Sequence, residues 1–234
     1  MIKEVKKMLI LLAVLPGIVL FYIVWKHDKI EKEPGSLLLR LFILGALTTI
    51  SAMLIGTLGG YFVKDLFEEN SLIYLIIDNF LLTALVEEGG KYVVMKKTTW
   101  RHPAFNYTFD AVLYAVTASL GFAVVENIFY VIDGDVSTAL MRAVLSVPGH
   151  AIDGLFMGYY YGMAKAAASD GDARAMKAGL KKALWVPVLL HGFYDFCLSF
   201  ESEIFTIVFF AFELVITVIA IKRLKTASRT DTPV

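Results

Sequence analysis

Residues 72–95 read LIYLIIDNFLLTALVEEGGKYVVM. Coiled as a helix at about 1.5 Å per residue, this run reaches roughly 36 Å, enough to cross the hydrocarbon core of a bilayer. It nevertheless carries Glu87, Glu88 and Lys91. A charge at the bilayer centre costs about 2.5–3.5 kcal/mol on insertion scales, so such groups need a reason to be there. A stretch apolar enough to insert that still holds this cluster of charges, with Asp78 nearer its start, predicts an all-α, polytopic membrane bundle with a polar interior.

Six further runs match it in length and character: 8–25, 37–63, 108–132, 138–166, 178–200 and 202–224. The expectation is one integral membrane domain over residues 1–234, with seven spans and a core made of spans three to six. Composition agrees. The chain is 58% hydrophobic and 19% charged, with a mean hydropathy of +0.68, against roughly 45–50% apolar and about 25% charged for a soluble domain. That excludes a water-soluble globule, a disordered chain and a nucleic-acid binder with a basic face. Cys197 is the only cysteine, which excludes a disulfide framework and a cysteine-based zinc site. The first run follows Lys6 and Lys7 as a signal peptide would. No small-x-small cleavage site follows it, and Trp25-Lys26-His27-Asp28 reads as a span end, so it is taken as a retained anchor.

Basic residues alternate between the connectors. Segments 26–36, 96–107 and 167–177 with their flanks, and the C-terminal tail, hold 16 of the 22 Lys and Arg. Lys3, Lys6, Lys7, Lys64 and Arg142 fall on the other side, with Asp65, Glu68, Glu69, Asp133, Asp135, Glu201 and Glu203. The positive-inside rule then places the C-terminus in the cytoplasm and the N-terminus outside, in a cell membrane.

Within the spans the ionisable residues form a set. The third span holds Glu87, Glu88 and Lys91, and the fourth holds Glu126 beside Asn127. The fifth holds His150 and Asp153, and the sixth His191 and Asp195. His27 and His102 fall in connectors. Spacings of three and four put Lys91 on one face with Glu88 and Glu87, and His191 on one face with Asp195. Counted from the outer surface, Glu126 lies about 9 Å deep, His191 about 13 Å, His150 about 18 Å and the glutamate pair at most about 24 Å. The four sites are expected to converge in the outer half of the membrane. Two carboxylates and two imidazoles in a dry, helix-lined cavity suit metal-assisted hydrolysis, with Zn²⁺ the natural fit to this donor set. A metal-free route, in which a glutamate activates water directly, uses the same groups. No H-E-x-x-H, P-loop or dinucleotide fingerprint is present.

The motifs, taken in order, resemble a known family. Glu87 to Lys91 matches E-E-x-x-K, and Phe122 to Asn127 matches F-x-x-x-E-N. His150 to Gly154 matches H-x-x-x-G, and His191 to Asp195 matches H-x-x-x-D. One motif per consecutive span, preceded by a D-x-x-x-x-E-P connector at Asp28 to Pro34, resembles the PrsW family of intramembrane proteases, distant relatives of the CAAX prenyl endopeptidases. The resemblance implies a metallopeptidase in which Glu87 or Glu88 activates water or ligates metal. His191 would be catalytic, and Glu126, His150 and His191 metal ligands, the metal being a divalent ion such as zinc. Lys91 would be a counter-ion, Asn127 a neighbour supporting Glu126, and Asp195 the partner that orients His191. It implies as substrate a single-span membrane protein such as an anti-sigma factor, cut first near the outer face of the bilayer. Two other readings of the same residues stay open: a proton- or cation-coupled transporter, and a non-catalytic membrane scaffold.

Overall fold

The computed structural model describes residues 2–132, 134–200 and 202–234, without the side chains of residues 2–6. The side chains of Lys3 and Lys6, and residues Asp133 and Glu201, which entered the charge reading, lie outside the described residues. Among those described, no strand forms. A single isolated bridge pairs Tyr107 with Pro233. The helices are α1 (Ile2–His27), α2 (Gly35–Leu66), α3 (Leu72–Ile76), α4 (Leu85–Thr99), α5 (Asp110–Ile132), α6 (Val136–Met141), α7 (Val147–Ser169), α8 (Ala173–Leu198) and α9 (Glu203–Arg229). His27, expected in a connector, is the last residue of α1.

Two π-helical segments, Ile77–Ala84 and Arg142–Ser146, join α3 to α4 and α6 to α7, so the described chain makes seven helical rods. Each widened turn has a local cause. Pro148 has no N–H to return to the preceding turn, and Val147 N–H reaches back to the Arg142 carbonyl instead. In the first segment the Asn79 side-chain amide donates to the Leu75 carbonyl at 2.8 Å, competing with the backbone ladder. Such bulges collect at functional sites, and here they lie just ahead of Glu87–Glu88 and of His150.

Among the described residues, four helices are long and apolar enough to cross a membrane: Lys7–His27, Gly35–Leu66, Asp110–Ile132 and Glu203–Arg229. The other three rods carry most of the interior charges and have polar ends. Helix α5 is the axis of the bundle, and nearly all its residues from Asp110 to Val124 are buried. It packs against α7 through the Gly154, Gly158 and Gly162 stripe. A Cβ on Gly158 would lie 2.4 Å from the Ala111 carbonyl and from Val112 Cα. The stripe lets the two backbones touch, as small-xxx-small faces do inside membranes. On its other side α5 meets α2 equally closely, at Gly45 and Gly121. Outward faces are apolar: Leu11, Leu54 and Leu214 are 58%, 61% and 68% exposed, a surface that suits lipid and not water.

At one end of the bundle the connector 28–34 is pulled inward. Asp28 and Glu33 are buried, and Tyr114 donates to the Glu33 carboxylate. The C-terminal tail closes the same end, with Val234 N–H bonded to the Asn106 carbonyl at 2.8 Å.

Candidate active site

Glu87 and Glu88 sit on the first turn of α4, immediately after the π segment. Glu88 is fully buried. Its Oε1 accepts from Lys91 Nζ at 2.6 Å and from His191 Nδ1 at 3.0 Å. The first contact is the i, i+3 pair expected on one helix face. Lys91, also fully buried, reaches His150 Nδ1 at 3.1 Å. An ammonium only donates, so His150 turns a lone pair to Lys91 and an Nε2–H to Glu126 Oε2, 3.0 Å away. His191 Nε2 faces Asp195 Oδ2 at 3.1 Å. Asp153 stands 3.9 Å from the other ring nitrogen. The two imidazole rings meet edge to face at 5.3 Å, and Phe122 walls off His150 at 5.4 Å.

The fold therefore brings Glu87, Glu88, Lys91, Glu126, His150, Asp153, His191 and Asp195 from four rods into one contact network. Glu87, Glu88, His150 and His191 each offer a ligand atom, all within 4.8 Å of one another. Glu126 lies outside that set. Its Oε2 is held by His150 and, at 2.6 Å, by Arg142 Nη2, while Arg142 Nε donates to Asn127 Oδ1 at 2.7 Å. Arg142 is the residue that sequence reasoning missed. By connector position it reads as a cation of the outer side, yet it falls inside an apolar run, where an arginine calls for a partner. Its guanidinium also stacks over Tyr130, 3.8 Å from the ring centroid.

Whether these residues fit a metal is tested by what they leave unsatisfied. Glu87 Oε2 and Glu88 Oε2 are buried without a hydrogen-bond partner. The network sets five carboxylates (Glu87, Glu88, Glu126, Asp153, Asp195) against two permanent cations, Lys91 and Arg142. Buried charge needs compensation, and a divalent ion among carboxylates and imidazoles would supply it. The residues fit.

Two large clefts reach the network among the described residues. The larger, of about 610 Å³, is lined by Glu87, Glu126, Arg142, His150 and His191. It runs to Leu198, Ser199 and Thr206, at the end of the bundle that carries connectors 67–71 and 199–202. The smaller, of about 400 Å³, lies between α2 and α5 and also touches Glu87 and Glu126. Glu88 lines neither.

Fold and site together define a class: a multi-pass helical membrane protein with a carboxylate–imidazole centre sunk between its rods and open to the flank. Sequence comparison supplies the family. The chain belongs to the PrsW family of intramembrane metalloproteases, whose family model matches residues 33–221. It is 37% identical over 216 residues to Protease PrsW of Oceanobacillus iheyensis, covering 92% of this chain and 94% of that one. It is 35% identical to Protease PrsW of Shouchella clausii (94% and 97% covered) and 34% identical to that of Bacillus subtilis strain 168 (82% and 83%). No solved structure matches. The protein is an intramembrane protease of this family, built as a multi-pass membrane protein.

Proposed function

We propose that Glu87, Glu88, His150 and His191 form the hydrolytic centre and that it works with a bound divalent metal, zinc by the chemistry of its donors. The observation that carries this reading is the meeting of the four groups within 4.8 Å, with two buried carboxylate oxygens that accept no hydrogen bond. These four residues would hold the ion, and zinc there would supply a bound water acidified towards neutrality and a Lewis acid for the scissile carbonyl.

The two adjacent glutamates divide the work. Glu88 is sealed between Lys91 and His191 and serves as ligand and anchor. Glu87 borders both clefts and is placed to take the proton of the attacking water and return it to the leaving amine. Asp195 holds His191 in orientation, and Arg142 with Asn127 holds Glu126, which in turn positions His150. Low dielectric around the network strengthens each of these contacts.

The substrate on this reading is a single-span membrane protein such as an anti-sigma factor. The cut falls near the outer face, because the larger cleft runs towards the acidic-connector end that the positive-inside rule places outside. The chain is then one membrane domain of seven spans.

Elemental analysis of the purified protein and cleavage of a single-span reporter test the proposal together. One zinc per chain is expected, lost in a His150→Ala/His191→Ala variant. Glu87→Gln should keep the metal and lose cleavage by about 10²-fold or more. Cleavage that survives complete metal removal overturns the metal, and cleavage that survives both Glu88→Ala and His191→Ala overturns the site.

A further inference from the structure

The smaller cleft has a chemistry of its own. Five residues of α2 face it: Thr49, Ala52, Met53, Gly56 and Thr57. Their spacing of three and four is one helix face, and apart from Met53 they are small. Opposite stand Leu82, Phe122 and Phe129. The larger cleft adds charged groups, Arg142, Asp153 and Asp195, to apolar walls that include Leu145, Phe209 and Phe210. The walls of both clefts are largely apolar, but only the larger has charged groups of its own; Glu87, Glu126, Thr83 and Tyr130 border both.

An extended chain points successive side chains to opposite sides. Because Glu87 borders both clefts, a scissile bond there can present its two flanking side chains one to each cleft. The hydroxyls of Thr57 and Thr83 make no hydrogen bond among the described residues, which leaves them for the backbone of such a chain in a medium that supplies no water.

We infer that the α2–α5 cleft is the specificity subsite for a large apolar side chain next to the scissile bond, contributed by the membrane-embedded half of the substrate, while the larger cleft takes the polar juxtamembrane half. The preferred substrate is a segment that turns from apolar to polar at the cut. This rests on the endopeptidase reading above and adds the substrate's chemistry to it.

Gly56 gives the test. A Cβ there would meet nothing closer than the Leu82 carbonyl at 3.8 Å, so a larger side chain enters the cleft instead of colliding with backbone. Leu58 is on the opposite face of α2 and 52% exposed. Two synthetic single-span peptides with a Leu/Ala core and a polar flank, differing in Leu or Ala at the boundary, are reconstituted with the full chain. Binding is read in the Glu87→Gln background and cleavage in the active protein.

Gly56→Trp, with Gly56→Leu as the milder filling, should lower binding and kcat/KM for the Leu peptide roughly tenfold or more. It should leave the Ala peptide within about twofold, and Leu58→Trp should change neither. A Gly56→Trp protein that handles the Leu peptide like wild type, or loses both peptides alike, overturns the subsite. If Gly56→Trp selectively weakens binding of the Leu peptide while wild type cuts neither peptide, the cleft stands as the docking site and the endopeptidase reading falls instead.

Discussion

Lys91 shows what a buried charge does in this bundle. Its ammonium touches Glu88 at 2.6 Å and His150 at 3.1 Å, and lies 4.0 Å from the centroid of the Phe122 ring. Replacing one member of a buried pair strands the other, at a cost of about 3–5 kcal/mol, whereas replacing both with apolar groups is close to neutral. Lys91→Met is therefore expected to lower stability by about that amount, and Glu88→Met/Lys91→Met to recover most of the loss while staying inactive. Thermal unfolding in detergent measures both. A single variant as stable as wild type would show that Glu88 is held by other groups. Glu87 and Glu88 illustrate a second point: neighbours in the chain that share Lys91 and His191 as partners still differ in surroundings, because Glu87 borders the clefts and Glu88 is packed in the interior.

At the scale of elements, the close seam between α5 and α7 sets the position of His150 against Glu126. A side chain at Gly158 would run into backbone atoms of Ala111 and Val112 at 2.4 Å, and backbone cannot rotate away. Gly158→Val should cost about 1–3 kcal/mol and reduce cleavage by spreading the rods. Gly60→Ala, with nothing within 4 Å of its Cβ, should stabilise α2 by up to about 1 kcal/mol. Equal unfolding temperatures for the two variants would sink this account of the seam. The connector between α1 and α2 carries a pH dependence. Burial raises Glu33 to about 7, against the opposing hydrogen bond from Tyr114, and raises Asp28 to about 6, against the nearby Lys32. Both acids hold their protons more tightly folded than unfolded, where carboxyls titrate near about 4. Their contribution to stability is full below about pH 4 and is lost as pH rises through about 6 and 7. The unfolding temperature should fall between pH 5 and pH 8, and Glu33→Gln, which can still accept from Tyr114, should make that fall shallower. Parallel slopes for the two proteins would refute it.

At the scale of the whole molecule, the apolar exterior of α1, α2 and α9 marks the lipid-facing belt, and the two ends of the bundle differ in charge. A reporter inserted at Gly171, in the turn between α7 and α8, should read as cytoplasmic. One inserted at Asn70, between α2 and α3, should read as external. Gly171 has φ +76° and Asn70 φ +65°, so both are tight surface turns where insertions disturb little packing. The reverse pattern would invert the orientation and put the larger cleft on the cytoplasmic side.

Much of this was legible in the chain itself. Seven apolar runs became seven helical rods, because the cost of unsatisfied backbone in lipid leaves a helix as the only local solution. The pairs Glu88–Lys91 and His191–Asp195 could be read as well, since residues three or four apart on a helix meet whatever surrounds them. Contacts between rods could not be read. That Lys91 also holds His150, that Arg142 reaches Glu126, and that Glu87 and not Glu88 faces the clefts all depend on how far each rod is rotated about its own axis. The glycine seams and π-helical turns set that rotation by packing between segments distant in sequence, and no local spacing encodes it.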